Sequence, residues 1–363
     1  MSKRVIFSSG PEALQREGLS ETPEVWEDGL RAEPKAGNFE WWYFDSQFED
    51  GSTAVVVFFT KTILDRQSRL KPGVSLTITR PDGQKLSATN LVPPTDFSTS
   101  KERCYVRAGE SWVRGDLCNY ELHAKAGELS AQLDVTALVP AWRPGAGKNY
   151  YNEEMTRYFA WFPAIPHGMV DGHLIYDGKV HPVKGTCYHD HNWGNVGLND
   201  VLSHWYRGRA HLGDYTIIFA EMTATQPYGA QKIPVFMLAK GNQVLSGDGG
   251  PLRLEELDFI ADPSGRSYPE GLKLEWENES LRVRIKLCEP KLIDSFSLLD
   301  LLPAWQRVVG KIVANPYYFR FKADLDLQVD PKPGPGDHQA EKPSGGRPTR
   351  SESQALYELI WLR

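Results

Sequence analysis

The chain has 363 residues, with 41 Lys and Arg against 47 Asp and Glu, a formal net charge of −6. The length has room for two ordinary domains, and a hydrophobic share of 40% with 24% charged residues is that of a globular protein. The acidic balance argues against a nucleic-acid-binding surface, no run approaches the ~20 apolar residues of a membrane helix, and the apolar run Val5-Ile6-Phe7 stops at Ser8-Ser9-Gly10, too short for a signal-peptide core, so a cytoplasmic protein with no stable membrane insertion is expected.

In chain order, Pro11–Glu17 reads as a short helix, with Pro11 at its first position and Gly18 just past its end. Residues 53–60 form a β-branched and aromatic run between turn residues, and 74–79 alternates Val74, Leu76 and Ile78 before the turn Pro81-Asp82-Gly83. Hairpins are expected at 120–124 with 129–136 around Ala126-Gly127-Glu128, and at 172–176 with 180–186 around Asp177-Gly178. Further strands fall at 214–222, 235–240, 243–246, 272–277 and 281–287. Residues 295–313 have apolar spacing suited to a helix that Pro303 would kink. Residues 317–329 alternate Phe319, Phe321, Ala323, Leu325, Leu327 and Val329 inward, as a long half-buried strand does. The Pro- and Gly-rich stretch 331–353 is expected to be a mobile loop, and 355–362 a last strand that closes a sheet. Many short strands with frequent turns indicate an all-β sandwich or barrel. No GxGxxG or GxxxxGK[ST] is present to cradle a nucleotide.

Four cysteines, Cys104, Cys118, Cys187 and Cys288, form no CxxC pair and read as thiols, Cys187 lying beside the densest chemical cluster. That cluster is Gly185-Thr186-Cys187-Tyr188-His189-Asp190-His191-Asn192-Trp193-Gly194-Asn195. On a strand, His189 and His191 share one face and Asp190 takes the other. Acid–base chemistry, a metal site and a histidine bracing a corner between domains are the readings open here. A metal needs further ligands, and neither a Glu three to five residues on nor an HExxH occurs, so no metal is expected. In residues 39–45, Glu40, Trp42 and Phe44 share a face, which can line a cavity while Trp41, Tyr43 and Asp45 pack, or the reverse; Glu40 is a candidate acid. Tyr215, Ile217, Phe219 and Glu221 share another face, so Glu221 is either an inward acid or the point where the strand meets solvent. Arg207 and Arg209 can pair with Glu221 or bind an anionic group.

Taken together, Glu40-Trp41-Trp42-Tyr43-Phe44-Asp45, Tyr188-His189-Asp190-His191-Asn192-Trp193-Gly194, Trp205-Tyr206-Arg207-Gly208-Arg209 and Pro316-Tyr317-Tyr318-Phe319-Arg320-Phe321 resemble the AttH and carotenoid 1,2-hydratase family, whose fungal relatives include Diels–Alderases. The resemblance implies two tandem lipocalin-like (calycin) β-sandwich or barrel domains, here 1–190 and 191–363, with a hydrophobic pocket at or near their interface, and no metal or organic cofactor. It implies roles for His191 and Trp193, which match a His-x-Trp pair of the hydratases. The hydratases' Tyr-x-Asp pair has its nearest counterpart in Phe219-Ala220-Glu221, where the acid survives and the tyrosine hydroxyl does not.

The expected function is therefore a cofactor-independent enzyme of secondary metabolism acting on an apolar polyene, terpenoid or polyketide, by proton-initiated or pericyclic cyclisation or by hydration. The alternative is a non-catalytic lipid or pigment carrier. The expected catalytic residues are His191, Glu221, Tyr188 and His189. A proton from His191 or Glu221 would give a cation held against Trp42 and Trp193; in the pericyclic version the pocket holds a folded conformer and His191 or Tyr188 polarises a carbonyl. Glu40, Phe44, Trp205, Tyr206, Arg207 and Phe219 are expected with Trp42 and Trp193 around the substrate.

Overall fold

The computed structural model describes residues 3–62, 65, 67–247, 249–297, 299, 316–332 and 354–363. The chain divides into two compact units, one of Lys3–Leu198 with Gly241–Val244, the other of Asn199–Lys240 with Leu245–Arg363. Among the described residues no helix is long and apolar enough to cross a membrane.

The first sheet comprises β1 (Ile6–Phe7), β2 (Phe39–Phe48), β3 (Thr53–Phe59), β4 (Gly73–Thr79), β5 (Lys85–Leu91), β6 (Phe97–Thr99), β7 (Cys104–Ala108), β8 (Ser111–Gly115), β9 (Asn119–Ala126), β10 (Leu129–Ala137), β11 (Lys148–Tyr150), β12 (Tyr158–Tyr176) and β13 (Lys179–Gly194). Its order is β5-β4-β3-β2-β13-β12-β10-β9-β8-β7-β6, with β1 and β11 at the side. The two strands richest in chemical side chains, β2 and β13, are thus neighbours at its centre. The hairpin joining β12 to β13 turns at Asp177 and Gly178, with φ of 53° and 67°. Both are left-handed, as a two-residue turn between right-twisted strands requires. The sheet curls so that β4 and β5 meet β9 and β10. Val74, Leu76 and Ile78 then share one core with Leu122, Ala124, Ala131 and Leu133.

The second sheet comprises β14 (Leu202–Leu212), β15 (Tyr215–Ala224), β16 (Lys232–Lys240), β17 (Gln243–Ser246), β18 (Arg253–Ala261), β19 (Ser267–Glu277), β20 (Leu281–Ser297), β21 (Tyr317–Pro331) and β22 (Gln354–Trp361), in the order β17-β16-β15-β14-β22-β21-β20-β19-β18. The last strand therefore joins β14 to β21 inside the sheet. Its Ala355, Tyr357 and Leu359 enter a core with Phe219, Phe236, Trp276, Phe319 and Phe321. Gly208 is a packing requirement here, because a Cβ at that position would sit 2.2 Å from the Phe219 ring.

The hairpin and strand expectations are met, as is the helix α1 (Pro11–Glu17). One expectation needs correction. Ser295, Phe296 and Ser297 are not helical; they end β20 and pair with Phe319, Tyr318 and Tyr317. Phe296 packs on Tyr318 at 4.9 Å, so cross-strand ring contact outweighs the local helical spacing. Of the rest of that segment only Leu299 is described, and of the expected loop only Pro331 and Lys332, the remainder lying outside the described residues.

Helix α1 is held by Glu17, whose carboxylate accepts from Lys148 Nζ at 2.5 Å and from the Tyr150 hydroxyl. Burial works to raise the Glu17 pKa, but these two partners outweigh it and hold the carboxyl below its ordinary value. Its contribution is therefore present above the unfolded glutamate value, about 4.3, and is lost as pH falls through the folded value. Glu17→Gln is expected to cost about 1 kcal/mol at pH 7, with variant and wild type converging in urea titrations as pH falls below the lowered folded value.

Candidate functional site

In the antiparallel pair β2–β13, His191 lies opposite Trp42, His189 opposite Phe44 and Trp193 opposite Glu40. Facing residues project to the same side of the sheet, so the alternation in each strand brings these six side chains together. Trp42 stacks on His191 at 4.6 Å and 14°, and Phe44 on His189 at 3.9 Å and 7°. Trp193 lies against His191 at 4.7 Å.

A short 3₁₀ turn, Val25–Asp28, held by a reciprocal capping box between Glu24 and Glu27, brings Asp28 to these rings. Asp28 Oδ2 accepts the Tyr120 hydroxyl at 2.6 Å and faces His189 Nε2 at 3.0 Å, while Oδ1 lies 3.4 Å from His191 Nδ1. The Asp28 backbone carbonyl accepts Trp42 Nε1–H at 2.9 Å. On the far side of His191, Nε2 meets Glu40 Oε1 at 2.7 Å. The Glu40 carboxylate also accepts the backbone N–H of Arg31 and of Ala32, each at 2.7 Å. The His189 Nδ1 meets the Tyr43 carbonyl at 3.1 Å. Burial alone would raise the Asp28 pKa, but the adjoining His189, His191 and Tyr120 hydroxyl hold it below the usual carboxylate value. Burial, reinforced by the Asp28 charge, pushes the Tyr120 hydroxyl and the Cys104 thiol well up.

The opposite face of the same strands has different chemistry. Asp190, 0% exposed, accepts Trp161 Nε1–H at 3.0 Å, the Tyr188 hydroxyl at 2.8 Å and Asn192 Nδ2–H at 2.6 Å. The Tyr43 hydroxyl donates to Asp45 at 3.1 Å. Around these pairs Trp41 stacks on Phe39 at 5.5 Å and on Phe159 at 6.1 Å. Trp41 and Tyr43 are half-buried, unlike the sealed residues behind them.

The structure thus brings together six of the expected residues, Glu40, Trp42, Phe44, His189, His191 and Trp193, and places the others apart from them. His189 and His191 are 0% exposed, with their ring nitrogens directed at carboxylates or a carbonyl. No side of either ring is open to a substrate. Tyr188 is on the other face with Asp190. Glu221, in β15, is buried against Lys232 Nζ at 2.6 Å. In that second unit the Tyr206 hydroxyl donates to Glu256 at 2.6 Å, Arg207 pairs with Glu358 at 2.8 Å, Phe219 is core, and Trp205 is half-buried. No disulfide joins the four cysteines, and Cys187 is buried in the first core.

Sequence reading missed Asp28, Tyr120 and Cys104, because nothing local to an Asp-Gly turn shows that its carboxylate lies beneath a distant strand. The aspartates at 45 and 190 were visible in principle: Tyr43-Phe44-Asp45 and Tyr188-His189-Asp190 have the same spacing and face the same way.

Residues 33–261, well over half of the chain, match the Diels-Alderase-like family. The chain belongs to that family. Two curated relatives are the Diels-Alderase poxQ of Penicillium oxalicum, 22% identical over 48% of this chain and 44% of its own length, and the quinolone epoxide rearrangement protein penF of Penicillium thymicola, 24% identical over 34% and 39%. The chain thus spans less than half the length of the curated relatives it matches. Among solved structures, the AttH-like protein NE1406 of Nitrosomonas europaea superposes with a TM-score of 0.61 at 13% identity, covering 94% of this chain and 97% of that one. Kievitone hydratase of Nectria haematococca gives 0.55 at 13% identity, covering 99% and 98%. The all-β, lipocalin-like fold of the AttH and Diels–Alderase group is therefore the fold of this member too.

Proposed function

We propose that the protein is an enzyme of secondary metabolism that holds an apolar polyene, terpenoid or polyketide intermediate against the Trp41–Tyr43 face of β2, β12 and β13 and cyclises, rearranges or hydrates it. The observation that carries this reading is the pairing, on one face, of aromatic surface with two tyrosine hydroxyls, each held by a buried aspartate. Buried carboxylates are costly unless hydrogen-bonded, and an apolar wall with a few fixed polar groups is the usual form of a small-molecule site. Indole and phenyl faces hold a polyene in a folded conformer, removing part of the entropic barrier, and stabilise positive charge that develops on it. The Tyr43 hydroxyl can turn from Asp45 to a substrate carbonyl or epoxide oxygen, where a fixed donor favours the charge of the transition state. The behaviour of the relatives is in keeping: one is a Diels–Alderase, one rearranges an epoxide, and a hydratase shares the fold.

The test is turnover of linear polyenes that end in an activated alkene or an epoxide, followed by mass spectrometry in H₂O and D₂O. Deuterium on carbon marks proton-initiated chemistry, and its absence marks a pericyclic step. Tyr43→Phe is expected to lower kcat by about 10²-fold with the fold intact. Tight binding of every substrate with no turnover of any would make the protein a carrier and overturn the reading.

A further inference from the structure

Two contacts in the sealed cluster set an imidazole nitrogen against a carboxylate in a way that asks for positive charge between them. The Tyr43 carbonyl is only an acceptor, so the 3.1 Å contact places a hydrogen on His189 Nδ1. In that tautomer Nε2 presents its lone pair to Asp28 Oδ2 at 3.0 Å. With His191 Nε2 committed to Glu40, His191 Nδ1 and Asp28 Oδ1 face each other at 3.4 Å, and neither makes a hydrogen bond. All three residues are 0% exposed, so the opposition is out of reach of bulk solvent. A proton can relieve it, and so can a cation. The third element is Cys104, also 0% exposed: Asp28, Cys104 and His189 each offer one ligand atom, and these atoms all lie within 4.8 Å of one another.

We propose that Asp28, Cys104 and His189 form a buried site for a divalent transition-metal ion of the zinc type, with His191 Nδ1 beside it. The donor set decides the class of metal, since a thiolate and an imidazole with one carboxylate select zinc, cobalt or iron over magnesium or calcium. The outer hydrogen bonds fit as well. The His189 Nδ1–H to a backbone carbonyl, and the Tyr120 hydroxyl to Asp28, are what orient a ligating histidine and a ligating carboxylate. Bonds of about 2.0–2.3 Å in a tetrahedron place ligand atoms roughly 3.3–3.6 Å apart, so the 3.0 Å His189–Asp28 pair needs to open by only a few tenths of an ångström. On binding, the Cys104 thiol proton leaves to solvent, while the His189 Nε2 lone pair and the Asp28 carboxylate turn to the cation without losing a proton. A dication with one thiolate and one carboxylate is then neutral, which suits a dry interior. The site ties together the turn at Asp28, β7 and β13. Its burial marks it as a structural centre, filled as the chain folds, and it does not depend on the reaction proposed above.

The test is to express the full chain in minimal medium with added zinc, and separately with cobalt, and to measure metal by mass spectrometry and the visible spectrum. The expected result is about one metal per chain and, for cobalt, a thiolate-to-metal charge-transfer band. Cys104→Ser is expected to lose the band and most of the metal, and Cys118→Ser, at an exposed thiol, to keep both. Wild-type protein that is folded yet carries far less than one metal per chain from either medium overturns the proposal. So does a band that survives Cys104→Ser. Should Cys104→Ser fail to fold, the wild-type metal content and its cobalt spectrum decide the matter by themselves.

Discussion

Asp28→Ala is expected to cost about 3–5 kcal/mol of the first unit's stability, among the largest effects of any single substitution in the chain. The reason is the number of buried groups that meet at one carboxylate. Tyr120, His189 and His191 all lie against it, and Asp28 and both histidines are 0% exposed. Removing the carboxylate leaves the Tyr120 hydroxyl and His189 without that partner and takes the charge away from beside His191, in a site bulk solvent does not reach, where a group left unsatisfied carries its own desolvation penalty. Asp28→Asn keeps the shape and an acceptor oxygen and is expected to lose about half as much. Trp42 serves as an internal control, since its indole N–H bonds the backbone carbonyl of residue 28, which both variants retain. Urea unfolding read by tryptophan fluorescence measures the loss. A cost for Asp28→Ala below about 1 kcal/mol would mean that the cluster relaxes around the gap and is not held through this carboxylate.

Arg143→Ala is expected to be comparably damaging, at about 3–5 kcal/mol, for a related reason. The Arg143 guanidinium grips Glu27 through both carboxylate oxygens, at 2.9 and 3.0 Å, and also donates to the Ser20 carbonyl. Glu27 is 4% exposed and Arg143 6%. The pair fastens the segment that carries Asp28 to a loop more than a hundred residues later. Taking away one partner strands a charge, whereas replacing both with apolar side chains of similar volume does not. Glu27→Leu combined with Arg143→Met is therefore expected to recover most of the stability lost in Arg143→Ala, giving a strongly non-additive double-mutant cycle. Additive losses would show that packing, and not charge pairing, dominates at this position.

Legibility in the sequence followed the range of the interaction. The turn at Asp177-Gly178 was readable because a left-handed pair of residues is a local demand that few side chains meet. The faces of β2 and β13 were readable because alternation is a property of any extended chain: Glu40, Trp42 and Phe44 do lie together, and so do His189 and His191. The segment beginning at Ser295 misled because apolar spacing in a short stretch fits either period, and pairing with Tyr317–Phe319 settles it. Glu221 shows the limit of the rule. It is buried within β15, yet whether such an acid meets a ligand or a lysine depends on the neighbouring strand, and that strand supplies Lys232.

By itself, then, the amino-acid order determined that this protein is built from antiparallel strands, where most of them turn, and which side chains share a face, because each of these is set by residues within a few positions of one another. Only the tertiary structure decided which face is sealed and which is lined by half-buried rings. That choice rests on Asp28, Cys104 and Tyr120 arriving beneath β13 from elsewhere in the chain. No local pattern encodes such an arrival, since it is the closing of the curled sheet that brings them there.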